Sequence, residues 1–354
     1  MAMPGEETAQ VTVRVVTAVT MPEGRLQMIR LKLLASLVLL STAITACSGA
    51  SDQNADGSPA EIHITIGSGL PYAPLTLIKQ KRILETAFPE TRLVWDDGVS
   101  GGAATRDGIL SGKVQVGVTG IAPFVIGVDK GVPWKVLGSM GQIGISLVSR
   151  DPAIRTLEEL DDSGRAISVP SPDSGQAMAL KSLAQTTLGD VKAFDDQLSP
   201  MPHPDAYQAF LTGTTGAAFI APPFQYQLLA DHDTHEVASA ADAFGAITYS
   251  AIVMSEKFHD ENPVFAETLF TALTDALQML REDPEEAAEV LANADAGRES
   301  AASYAEWLQL PQNHWDVTPR GFGATAEFMK SVGLIKSTPS TEQMMFPSVS
   351  EIGQ

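Results

Sequence analysis

From Glu61 the residues Glu-Ile-His-Ile-Thr-Ile alternate polar with apolar, which is the period of a half-buried strand. Short apolar runs at 91–95, 114–118, 134–138, 143–149, 166–169 and from Ala217 predict further strands, and the stretches between many of them read as helices. The pattern changes after residue 260. Asn262-Pro263 starts a helix with proline at its first position, and Phe265, Leu269, Leu273, Leu277 and Leu280 form one apolar face. Asp283-Pro284-Glu285-Glu286 starts another helix in the same way, and a last one is predicted over 324–332, stopped by Gly333. Strand-helix alternation over the first two thirds of this region argues for α/β architecture with parallel sheets.

One pattern occurs twice. Leu110-Ser111-Gly112 is followed by Val114 to Val118 and Thr119-Gly120-Ile121-Ala122-Pro123-Phe124; Leu211-Thr212-Gly213 is followed by Ala217 to Ile220 and Ala221-Pro222-Pro223-Phe224. Each copy predicts a helix ending on a left-handed glycine, a short apolar strand, and a proline turn. Two copies about a hundred residues apart imply two similar lobes. Residues 61–146 and 247–337 make the first and 147–246 the second, with crossings near Ile143 and at 246–254.

The 354 residues suffice for two such lobes, and with 44% hydrophobic and 19% charged residues the chain is globular in character. The net charge of -20 repels phosphate backbones, so no nucleic-acid partner is expected. Cys47 is the single cysteine, which leaves no intramolecular disulfide. It follows a basic start at Met28-Ile29-Arg30-Leu31-Lys32, the apolar run 33–40, and the small residues of Ser41 to Ala46, the form of a secretory signal over 28–46. A cysteine directly after Ile44-Thr45-Ala46 resembles the lipobox of bacterial lipoproteins, which implies lipidation of Cys47 and a membrane anchor. On this reading 1–27 is an over-extended start, 47–60 a flexible tether, and the polar stretch 338–354 a loose tail.

The predicted strands end in small polar turns. Gly67-Ser68-Gly69-Leu70-Pro71-Tyr72 follows the first, Gly98-Val99-Ser100-Gly101-Gly102 the second, and Thr119-Gly120 the third; Pro170 to Gln176 and Ala221-Pro222-Pro223 recur in the second lobe. Ligands of open α/β sheets bind at such edges. Taken in order, 67–75, 101–124, 156–175, 202–224 and 262–293 resemble the solute-binding lipoproteins of ABC importers for nitrate, alkanesulfonates, taurine and thiamine-precursor pyrimidines. The resemblance spans nearly all of 62–335. It implies a type II periplasmic-binding-protein fold, two α/β lobes joined by two crossing strands, in the bacterial cell envelope. The partners implied are a small molecule, an ABC permease and its ATPase; no cofactor, metal or catalysis is expected.

Carried over to this sequence, the ligand-facing positions are Ser68, Leu70, Tyr72, Ser100, Gly101, Gly102, Thr119, Gly120, Ser171, Asp173, Ser174, Gly175, Gln176 and Pro222, with Thr248 and Tyr249 at the returning crossing. Relatives often carry Trp-Glu-Pro where this chain has Ala221-Pro222-Pro223, which enlarges and neutralises one wall. No Lys or Arg stands at these turns, so an anion would rest on helix N-termini and neutral donors. Asp173 suits a ligand bearing an amine, or else caps a helix.

Two rival motifs remain. Gly98-Val99-Ser100-Gly101-Gly102 also satisfies G-x-S-x-G, the elbow of a serine hydrolase, whose histidine would come from His203, His232, His235, His259 or His314. Asp231-His232-Asp233-Thr234-His235 has metal-ligating residue types in an acidic loop. Trp95, Trp134 and Trp307 read as packing residues.

Overall fold

The computed structural model describes residues 53–54, 57–67, 69–97, 102–231 and 233–350. The start extension, the signal and Cys47 lie outside the described residues, as do Ser68, Ser100, Gly101 and His232. Among the described residues the strands are β1 (Glu61–Thr65), β2 (Arg92–Asp96), β3 (Val116–Thr119), β4 (Trp134–Ser139), β5 (Ser146–Ser149), β6 (Ile167–Val169), β7 (Leu198–Pro200), β8 (Ala217–Ile220), β9 (His235–Ser239) and β10 (Ala251–Ser255). They form two five-stranded sheets, ordered β2-β1-β3-β10-β4 and β7-β6-β8-β5-β9.

The two orders are the same topology. In each sheet the strand in fourth place is the one that follows a crossing: β10 returns to the first sheet and β5 opens the second. Both run antiparallel to their neighbours, so the sheets are mixed rather than parallel throughout. A strand arriving from the other lobe enters at the cleft edge, where its neighbours end, and has to run back through the sheet.

The repeat is local as well as topological. Gly112 (φ 71°) and Gly213 (φ 73°) both hold the left-handed conformation. The next amides close equivalent bonds, Lys113 N to Gly108 O at 3.0 Å and Thr214 N to Ala209 O at 2.9 Å. The proline segments that follow are helix starts, Ile121–Asp129 and Phe224–Leu229.

In the first lobe the face of the helix Pro263–Glu282 packs on the sheet, with Leu269 and Leu273 at 0% exposure beside Ile62 and Ile64 at 0%. Leu147, Ile167 and Phe219 pack with Leu180 and Leu183 in the second. Trp134 is buried in core, Trp307 packs against Tyr226, and Trp95 Nε1 donates to Glu85. Thr156 and Glu159 make the reciprocal capping box that their spacing predicts. Asn262 stands before Pro263 but does not cap; its Nδ2 donates to Phe258 O and closes the helix Glu256–Glu261 instead.

Two terminal expectations are corrected. A flexible tether is expected over 47–60, but among its described residues Asn54 Nδ2 donates to Ser58 Oγ, Pro59 O and Glu90 O, tying them to the first lobe. The tail from 338 is not loose over its described part. Ser340 opens the helix Thr341–Met344 with a capping box, and Met344, Phe346 and Val349 are buried. Phe346 N donates to Val136 O, so three apolar side chains in six residues cover the edge strand β4.

Candidate functional site: the interlobe cleft

The strand ends of both sheets open on one cavity of about 490 Å³. In the first lobe β1 leads to Gly67 and the turn Leu70–Tyr72. A Cβ on Gly67 would lie 2.3 Å from the Tyr72 ring, so glycine is what lets the ring lie across the strand end. At the start of the helix Gly102–Leu110, a Cβ on Gly102 would lie 2.4 Å from Thr119 Oγ1 and 2.5 Å from Pro123 Cβ. Two threonines brace this edge: Thr105 Oγ1 donates to Val118 O, and Val118 N donates to Thr65 Oγ1.

In the second lobe Ser174 caps the helix Gly175–Thr187, accepting from Ala177 N at 3.2 Å and donating to Ser171 O at 2.7 Å. Ser171 Oγ donates to Asp173 Oδ1 at 2.6 Å. The cap is therefore Ser174 and not Asp173. His203 begins the helix His203–Leu211, and the cis Pro222-Pro223 bond precedes Phe224.

Beside the two crossings, the segment 312–320, which begins and ends in the first lobe, packs along the joint. Gln142 and His314 exchange both backbone bonds at 2.8 Å, and Val317 O accepts from Ser139 N. Glycine permits this approach, since a Cβ on Gly144 would lie 2.5 Å from Gln312 Cγ. Thr248 is consumed by the same joint, its hydroxyl donating to Ser139 Oγ and accepting from Arg320 N. Asn313 and Tyr226 are linked by two bonds, of 2.9 and 3.2 Å, and burial raises the Tyr226 hydroxyl to about 12.

The lobes touch across the cleft. A Cβ on Gly69 would lie 3.0 Å from Pro223 Cδ, and Ala177 and Met178 share a buried cluster with Ile121, Ala122 and Val125. Inside, Gln176 Nε2 donates to Tyr249 Oη at 3.1 Å and lies 3.5 Å from His203 Nε2, which is 3.4 Å from Tyr249 Oη. Burial pushes the imidazole down to about 4, so at neutral pH it is uncharged. Burial raises both Tyr72 and Tyr249, which stay phenols. No Asp, Glu, Lys or Arg lines the cavity among the described residues.

Of the expected positions, Tyr72, Gly102, Thr119, Gly120, Ser171, Ser174, Gly175, Gln176, Pro222, Thr248 and Tyr249 line the cavity. Leu70 is in the core at 0% exposure, and Asp173 is absent from the lining. Sequence reasoning passed over Gln142, Met178, Phe224, Phe244 and the role of His203 as lining. Pro202-His203-Pro204 carried a signal, since it follows a strand and starts a helix like the other turns. His235 is used elsewhere, its Nε2 donating to Ile154 O at 2.7 Å.

A family model described as the NMT1-like family matches residues 60–294. Among solved structures, the periplasmic aliphatic sulphonate binding protein SsuA from Escherichia coli superposes with a TM-score of 0.63 at 19% identity, covering 82% of this chain and 99% of its own. The periplasmic nitrate-binding protein NrtA from Synechocystis PCC 6803 gives 0.66 at 14% identity, covering 83% and 88%. CAE31940 from Bordetella bronchiseptica RB50 gives 0.69 at 19%, covering 83% and 96%. These likenesses establish the two-lobed periplasmic-binding-protein fold. No curated relative matches in sequence.

Proposed function

The chain belongs to the NMT1-like family, and from that premise we propose that it is a lipid-anchored solute-binding protein of the cell envelope that delivers a small polar or aromatic molecule to an ABC importer. The observation that carries this reading is the cavity itself, enclosed between two sheets of one topology and lined by uncharged turns and rings from both. Such a site captures by closure. The solute completes the contacts between the lobes, and the permease with its ATPase responds to the closed form. The neighbours named as periplasmic sulphonate- and nitrate-binding proteins support the location and the transport role.

The ligand positions we assign are the expected ones that line the cavity, apart from Thr248, whose hydroxyl is taken by the joint, together with His203. Ser68, Ser100 and Gly101 belong to the same turns by sequence. Thermal denaturation of the purified protein against sulfonates, nitrate, pyrimidines, flavins, aromatic acids and amines tests the reading. A solute at a hundred times its Kd adds about 2.7 kcal/mol of stability. A panel without effect, combined with positive esterase or peptidase activity, overturns it. The anchor rests on the cysteine after Ala46, and no described helix is long and apolar enough to cross a membrane. Cys47→Ser should move the protein from the membrane fraction to the soluble one; unchanged membrane association refutes the anchor.

A further inference from the structure

The polar end of the cleft is specific enough to say which chemical edge it takes. Gln176 is 3% exposed, and its Nε2 is turned toward Tyr249 Oη and His203 Nε2. Its Oε1 has no partner among the described residues, although the side chain lines the cavity. An amide oxygen on a cavity wall is an acceptor open to a donor from a ligand. His203 is the mirror case. Its Nε2 faces the Tyr249 hydroxyl and the Gln176 amide nitrogen; the amide nitrogen can only donate, and with Nε2 accepting from it the neutral ring carries its proton on Nδ1. That N–H has no partner among the described residues either.

One acceptor and one donor, on neighbouring side chains that touch at their other ends, match a group offering a donor and an acceptor side by side. No charged side chain stands in the lining to pair with an ion. A closed cleft without a counter-charge penalises a sulfonate or carboxylate, which would also meet Gln176 Oε1 acceptor to acceptor. The volume, about 490 Å³, is that of a metabolite-sized site rather than a small inorganic ion.

We propose that the solute is an uncharged molecule presenting a carboxamide or ring-lactam edge, whose carbonyl accepts from His203 Nδ1–H and whose N–H donates to Gln176 Oε1. This rests on the solute-binding reading above. Tyr249 is then a positioning residue, holding both partners in register.

Isosteric pairs test it. The full-length protein is melted with nicotinamide against nicotinate and with benzamide against benzoate, beside taurine and nitrate, and any small molecule released on denaturation is identified by mass spectrometry. The amide of each pair should raise the melting temperature and bind at least about tenfold tighter than the acid. His203→Ala should lose that preference, while His203→Asn, which keeps a donor near Nδ1, should retain most of it. A released molecule bearing an amide or lactam edge supports the proposal. An acid, taurine or nitrate that stabilises as well as the amides, a released anion, or a preference unchanged in His203→Ala overturns it while the receptor reading stands. No shift with any probe and no released molecule overturns both.

Discussion

His203 makes an acid-stability prediction whose size follows from its site. The ring is half-buried among Gln176, Tyr249 and the uncharged turns of the cleft, and burial lowers it to about 4 from an ordinary 6.5. Between those values the unfolded chain binds the proton more readily than the folded one, so stability rises with pH through that window. The contribution is complete above about pH 6.5 and gone below about pH 4. At 1.36 kcal/mol per pH unit the whole window is worth roughly 3 kcal/mol, of which about 2.5 is lost by about pH 4.5. Partial exposure of the ring makes this a ceiling.

Carboxylates titrate over the same range, so the assay is a difference. Urea denaturation of the wild type and of His203→Gln is followed from about pH 7.5 to about pH 4.5, which cancels every group common to both. The wild type should lose up to about 2.5 kcal/mol more than the variant. Parallel stability curves refute the buried neutral imidazole, and with it the tautomer on which the amide-edge inference stands.

Other outcomes follow from the packing. Gly102→Ala puts a methyl 2.4 Å from Thr119 Oγ1; overpacking of about 1–3 kcal/mol outweighs the helix propensity gained, and ligand-induced melting shifts should shrink. Phe219→Ala removes a ring at 1% exposure from the second lobe and should cost about 3–5 kcal/mol in urea denaturation, a smaller loss showing that the lobe collapses around the gap. Tyr226→Phe removes the link to Asn313 between the lobes and should shift the balance toward an open form by about 1 kcal/mol, seen as a larger radius of gyration in X-ray scattering without ligand. An unchanged radius would show that the lobe contacts hold without that link.

The two-lobed architecture was legible because it is written in local signals. Leu-Ser/Thr-Gly before an apolar run marks a helix end and a strand wherever it occurs, and both copies keep the same glycine conformation and the same closing bond. The Thr156 capping box and the heptad-like face from Phe265 to Leu280 are equally local. Strand direction was not legible, because an apolar run is the same pattern whichever way its neighbours run. The order of the tail was not legible for a related reason: Met344, Phe346 and Val349 look sparse among polar residues until an edge strand is there to receive them.

For the cleft, sequence placed most lining residues because all of them follow strands, and the sheet edge gathers strand ends. It did not separate residues that face inward from those that do not. Leu70 turns into the core, Asp173 falls outside the lining, and Thr248 spends its hydroxyl on Ser139 and Arg320. Those are matters of side-chain direction and of partners far along the chain. What this sequence determined by itself is where helices and strands begin and end, and that two similar units are present, since these depend on residues a few positions apart. Only the tertiary structure decided that each sheet takes one reversed strand after a crossing and that the segment 312–320 straps the joint. It alone brought Gln176, His203 and Tyr249 together, because contacts across many tens of residues are set by packing and not by any local pattern.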